Sequence, residues 1–379
     1  MPIWGGGRVT GKVGSFDVGA VGIRTDDNLA VGAQPTTFSV LRVRRDVLAR
    51  SSVGVLFEDR SRSSLSGTGS NRAYGADANF NFMENLQIFG YYAKTKTDEL
   101  EGKDESYRAR VAWRGEVWST AMDHVLVGDN FNPEIGFVRR DNFRRNFAQF
   151  RFSPRPRSIP WLRRMIYQGS FDYITNMAGV LETRESKLRL EMELENSDKW
   201  FVEYTDSFEG LPKEFKLTSD VILPVGGYNF GQIRTEYDFG SQRRVSGRLF
   251  LSRGTFYNGT RNDVGYQGRA VITPQFAIEP RISISDVDVT QGSFVTTLAG
   301  ARTSFTVSPR MFLAALLQFN SSSESVDTNI RFRWEYQPGS DLFIVYSDGR
   351  DTGLEGYSRW KTKLQNRSFV IKFTRLLRF

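Results

Sequence analysis

The chain has 379 residues, with Lys+Arg 51 against Asp+Glu 43, a net charge of +8, one histidine and no cysteine. The absence of cysteine excludes a disulfide framework and a thiolate metal site, and one histidine is too little for an imidazole metal centre, so neither metal nor cofactor is expected. The basic residues are dispersed and not gathered into a run, which argues against a nucleic-acid partner, and no stretch of about 18 apolar residues offers a transmembrane helix.

The amino terminus, Met1-Pro2-Ile3-Trp4-Gly5-Gly6-Gly7, has neither a charged n-region nor an apolar h-region. Beyond it, period-two alternation dominates and helical periodicity is nearly absent. The alternation predicts strands over residues 7–13, 16–25, 37–48, 52–60, 74–82, 86–97, 107–113, 117–127, 143–152 and 166–175. It continues over 187–195, 200–205, 232–239, 244–257, 264–273, 276–289, 294–307, 311–320, 329–336 and 342–347. A closing strand is predicted over 368–379, with Phe369, Ile371, Phe373, Leu377 and Phe379 on one face and Lys372, Thr374 and Arg378 on the other. Most of these are long enough for the ~9–11 residues that a tilted strand needs to cross a bilayer.

Links after odd strands are short, except at 154–164, whereas many after even strands are long: 26–36, 61–71, 128–141, 206–228 and 349–367. Short turns at one end and long loops at the other are the pattern of an outer-membrane barrel. Aromatics mark both ends. Phe82, Trp113, Trp118, Phe152, Trp200, Phe239, Phe276, Trp334 and Tyr336 lie beside short turns, and Tyr74, Tyr92, Tyr107, Tyr173, Tyr204 and Tyr346 near the opposite ends. The expected fold is therefore all-β: one large antiparallel transmembrane β-barrel of about 20–22 strands, with short periplasmic turns, long extracellular loops and a lipid-wetted outer wall. Single-chain bacterial barrels have even strand numbers, so an odd count near 21 without a signal peptide leads us to expect amino-terminal truncation. Phe373, Leu377 and Phe379 are the expected assembly signal, the terminal Phe being the residue a barrel-assembly machinery would read.

Several segments resemble an uncharacterised outer-membrane barrel family, domain of unknown function family 5916. They are residues 4–14, 38–46 and 71–77, the stretch Asp129-Asn130-Phe131-Asn132-Pro133-Glu134-Ile135-Gly136-Phe137-Val138-Arg139-Arg140, residues 329–336 and the closing strand. The Asn-Pro-Glu-x-Gly-Phe segment is the most specific. In that family the barrel follows a family-9-type carbohydrate-binding domain, so the resemblance implies an outer-membrane location and a link to glycans through a domain not in this chain. It carries no catalytic residues.

The inward face is the first candidate site. By alternation it holds Arg42, Arg44, Arg108, Arg110, Arg189, Glu191, Arg234, Glu236, Arg331, Arg333 and Glu335. Such charges either select a polar solute or pair across strands and hold the wall together. Asn132, Pro133, Glu134, Gly136 and Phe137 are the loop candidates, either a surface ligand contact or lumen constriction or else a folded cap, and the apolar residues of 206–228 predict that this second loop packs on something. His124 follows Asp123 in a predicted strand, so the two point to opposite faces and do not form a catalytic pair. Glycines such as Gly247 and Gly268 are expected to bend strands or let an aromatic lie flat. The expected function is passage or docking of a polar, carbohydrate-derived solute. The alternatives are a scaffold displaying a carbohydrate-binding domain and an integral hydrolase.

Overall fold

A computed structural model describes residues 2–28, 32–65, 67–98, 100–353 and 362–376. Its strands in chain order are β1 (Ile3–Val13), β2 (Phe16–Thr25), β3 (Thr36–Val47), β4 (Ser51–Arg60), β5 (Asn71–Phe82), β6 (Leu86–Thr97), β7 (Glu105–Arg114), β8 (Trp118–Val127), β9 (Phe143–Phe152), β10 (Leu162–Asn176), β11 (Leu181–Leu194) and β12 (Lys199–Leu211). There follow β13 (Phe215–Lys216), β14 (Ile222–Leu223), β15 (Gly226–Phe239), β16 (Val245–Phe256), β17 (Gly259–Thr273), β18 (Phe276–Val289), β19 (Gly292–Ser308), β20 (Met311–Asn320), β21 (Ser325–Gln337), β22 (Ser340–Asp351) and β23 (Lys363–Phe373). β13 and β14 make a small hairpin, and the other strands belong to one antiparallel sheet of 21 strands. The pairings among the described residues do not include one between the first and last strands.

The chain divides into two compact units, the first comprising Met1–Ser153, Gln168–Lys187 and Ser207–Gly210. Its strands pair in sequence order, and the register carries one parity across the unit. Lys12 faces Asp17, Asp17 faces Arg44, Arg44 faces Gly54, Gly54 faces Asp77, Asp77 faces Tyr91 and Tyr91 faces Arg108. Alternate side chains of a strand point to opposite faces, so this register gathers the charges on one face. The other face carries Val9, Leu41, Val55, Val111, Met122 and Phe150, and these apolar side chains stay exposed, Val9 at 72% and Met122 at 64%.

The second unit comprises Pro154–Tyr167, Leu188–Asp206 and Leu211–Phe379. Here Arg248 faces Gln267, Gln267 faces Arg281, Arg281 faces Gly300, Gly300 faces Gln318 and Gln318 faces Asp327. The opposite face exposes Ile233, Leu251, Ile282, Val295, Leu317 and Ile371. Aromatics cluster beside the short turns in each unit. In the first, Trp118 stacks on Phe152 with centroids 4.0 Å apart. In the second, Tyr336 stacks on Phe373 at 5.2 Å, and Phe276 meets Phe305 edge-on at 6.3 Å.

The strands are longer at the long-loop end than alternation predicts. β11 begins at Leu181, β12 continues to Leu211, β17 begins at Gly259 and β23 begins at Lys363. Glu182-Thr183-Arg184-Glu185 and Thr260-Arg261-Asn262-Asp263 are polar on both faces, so no period-two pattern marks them, although the β16–β17 ladder runs through the second. Residues 206–228 are accordingly not one loop but the end of β12, the β13–β14 hairpin and the start of β15. The closing strand ends at Phe373, and Leu377 and Phe379 lie outside the described residues.

Gly268 accommodates an aromatic, as expected. The Tyr266 hydroxyl donates to the Ser246 carbonyl at 3.1 Å, and its oxygen occupies the space that a Cβ on residue 268 would need. Gly268→Val is expected to displace that ring and destabilise the protein by about 1–3 kcal/mol, read as a shift of the denaturant midpoint in detergent micelles.

Candidate functional site

In the first unit the charged face is a set of closed ion pairs. Arg42 reaches Asp77, with Nη2 2.9 Å from Oδ1. Its guanidinium passes over Gly54, where a Cβ would lie 2.6 Å from Nη2. Only a residue without a side chain leaves that crossing open. Arg44 joins Asp46 at 3.0 Å and Asp17 at 4.0 Å. Asp123 receives Arg108 Nε at 2.8 Å, with Arg110 at 3.9 Å, and Arg145 holds Asp172 at 2.8 Å. Every one of these arginines has a carboxylate within 4 Å on the same face.

The loop between β8 and β9 folds onto this face. The Glu134 side chain, 2% exposed, pairs with Arg60 at 2.8 Å. It also accepts hydrogen bonds from Ser63 Oγ and the Ser64 backbone N–H, both at 2.6 Å. Asn71 Nδ2 donates to the Asn132 carbonyl at 2.7 Å, and the Asn132 N–H donates to Thr95 Oγ1 at 3.0 Å. Asn71 and Thr95 share the parity of Asp77 and Tyr91, so the Asn132-Pro133-Glu134 segment caps the charged face at its long-loop end. Gly136 lies against Pro133, while Phe137 points away and is 86% exposed. Burial raises the Glu134 carboxyl, but the Ser63, Ser64 and Arg60 contacts more than offset it, and the net shift is downward.

The second unit has a cap of its own on its charged face, made by the β13–β14 hairpin. Leu217, Val221 and Leu223 of the β13–β14 hairpin pack with Phe230, Phe256, Tyr257, Val287, Val289 and Phe294. Phe256, Val287 and Phe294 carry the parity of Ser252, Asp263 and Ser285, so an apolar cluster sits on the charged face. Beneath it a cavity of about 260 Å³ is bounded by Leu217, Phe256, Arg261, Ser285 and Phe294.

The expected inward residues of this unit are mostly paired. Arg189 holds Glu191 at 2.6 Å and lies 3.6 Å above the Phe201 ring. Arg234 holds Glu236 at 2.7 Å, and Arg333 holds Asp341 at 2.8 Å. Arg331 donates to Asn329 at 2.9 Å, and Glu335 accepts the Gly339 N–H at 3.0 Å. His124, in the first unit, lies on the apolar face with Nδ1 2.7 Å from Asn146 Oδ1, opposite in direction to Asp123.

A groove of about 810 Å³ opens on the second unit's charged face. It is lined by Arg248, Arg269, Arg281 and Arg302 from the adjacent strands β16 to β19, together with Gln267 and Gln318. None of these was singled out from the sequence. Alternation places each arginine on a face, but the register that gathers four strands' worth of them was not read.

No family model matches the chain, and no curated protein matches it. Among solved structures it is similar to a bacterial polysaccharide outer membrane secretin, 11% identical, over 80% of this chain and 86% of that chain, with a TM-score of 0.26. A likeness that slight is no guide to what this chain does.

The Arg42 crossing and the Glu134 lock can each be broken by design. Gly54→Val should block the Arg42 crossing and destabilise by about 1–3 kcal/mol, and the penalty should shrink in an Asp77→Asn background, where the pair is already weakened, as a double-mutant cycle measures. Because the folded Glu134 carboxyl titrates below its ordinary value of about 4.3, its contribution is complete at neutral pH and disappears as pH falls through the lowered value. A nitroxide on Phe137→Cys, unique in a cysteine-free chain, should become mobile under acid, and already at pH 7 when Glu134→Gln is added.

Proposed function

We propose that this chain is a bacterial outer-membrane β-barrel whose charged face lines a gated passage, or docking surface, for a polar solute. The observation that carries this reading is the segregation of side chains: in each unit one face of the sheet exposes large apolar residues while the other collects the charges. A monomeric soluble protein rarely leaves apolar patches beyond a few hundred Å² in water, whereas lipid accepts such a face and aromatics settle at its borders. The strand extensions polar on both sides fit segments rising beyond the bilayer. Unpaired sheet edges are not tolerated in lipid, so the reading requires closure of the sheet, with a further strand if the count is to be even.

Membership of domain of unknown function family 5916, assembly by the barrel machinery and a glycan-derived solute delivered by a carbohydrate-binding domain belong to this proposal. The two caps favour a closed resting state. In planar bilayers the wild-type protein should conduct little, and replacing residues 213–224 by a short Gly-Ser linker should produce large openings. A linker variant that inserts but stays silent would remove the passage and leave a display scaffold. Protein that stays monodisperse without detergent, and does not partition into liposomes, would remove the barrel itself.

A further inference from the structure

One group of arginines on the second unit's charged face lacks the close carboxylate pairing seen at Arg42, Arg189, Arg234 and Arg333. In the first unit, Arg42 crosses Gly54 and ends on the carboxylate of Asp77. Arg281, in the second unit, stands directly opposite a glycine, Gly300, and the residue beyond that glycine is the neutral amide of Gln318. On its other side Arg281 faces Gln267, another neutral amide. Among the described residues no carboxylate lies within ion-pair distance of Arg281 or of Arg302, although Glu279 stands opposite Arg302 in the register. Arg269 and Arg248 are held only loosely, at 3.9 Å from Glu279 and Glu236. All four side chains are exposed to the groove.

We propose that this groove binds an anionic oligosaccharide, with Arg281 and Arg302 taking its carboxylates or sulfates and Gln267 and Gln318 its hydroxyls. The acidic lining residues Asp238, Glu279 and Asp327 keep the site from being uniformly cationic, so it suits a ligand whose charges are spaced by neutral hydroxylated segments more than a dense polyphosphate. Among the described residues its lining holds two aromatics, Phe239 and Phe319, and so lacks the row of stacking platforms that successive nucleobases need. Guanidinium binds carboxylate and sulfate through two parallel donors, and a volume of 810 Å³ falls in the ordinary range for small-ligand sites, about 300–1,000 Å³. The inference deepens the barrel reading and rests on it for access to the groove, yet binding is measurable apart from passage.

The test is calorimetric titration of the detergent-solubilised full chain with trigalacturonate, and with maltotriose as the neutral control. Wild-type protein should bind trigalacturonate and not maltotriose, with affinity falling as salt is raised. Arg281→Gln and Arg302→Gln should each weaken binding about tenfold. Gln318→Glu, which supplies Arg281 with the partner it lacks, should weaken it comparably without removing a cation. Arg253→Gln, on the opposite face of β16 from Arg248, should bind as wild type does. Absence of trigalacturonate binding by protein that inserts into liposomes, equal binding of maltotriose, or an unaffected Arg281→Gln/Arg302→Gln variant would each overturn the anionic-glycan site while leaving the barrel standing. Failure to insert into liposomes would instead overturn the barrel reading.

Discussion

The structure depends on the two-residue period of the extended chain holding its register over strand after strand. A slip of one residue would carry every charge of a strand to the apolar face. The pairings show how firmly that is prevented. Asp17, Arg44, Gly54 and Asp77 stay in line across four strands, as do Arg248, Gln267, Arg281 and Gly300 across another four. Backbone ladder bonds do not distinguish the registers. The side chains do, because in the wrong one Arg42 would lose Asp77 and meet Leu41's neighbours instead.

On the charged face most cations are neutralised by the nearest strands, and such half-exposed pairs are each worth only about 0–1 kcal/mol. Their effect is collective: they set register and hold a hydrated surface in one arrangement. Against that background Arg281 stands out, because its cross-strand neighbours are an amide and a glycine. Each unit caps its own charged face, and the two caps are held by opposite means. Glu134 is fixed by Arg60, Ser63 and Ser64, a polar lock that acid undoes. The β13–β14 hairpin is fixed by Leu223 and Val221 against Val287 and Phe294, a contact indifferent to pH.

Much of the sheet was legible from the sequence because one face of each strand is apolar. Residues 86–97, 276–289 and 311–320 became strands with the expected limits, and of these 276–289 alternates most cleanly. Legibility failed where both faces are polar, as at Thr260-Arg261-Asn262, and where the chain forms two-residue strands, as at Phe215–Lys216. The face of each charged residue was readable, but its partner was not: pairing Arg108 with Asp123 or leaving Arg281 without a carboxylate depends on register between strands, which one strand's pattern does not contain. The folding of Asn132-Pro133-Glu134 onto Asn71 and Thr95 joins residues more than thirty positions apart and left no local signal.

A barrel wall requires neighbouring residues of one strand to face lipid and water in turn. Spin labels on single cysteines, in protein reconstituted into liposomes, measure this through relative exposure to oxygen and to a water-soluble nickel chelate. Labels at Met122 and Leu317 should be relaxed by oxygen and shielded from nickel, and labels at Ala121 and Gln318 should show the reverse. Nickel access at Met122 and Leu317 equal to that at Ala121 and Gln318 would contradict a lipid-facing wall.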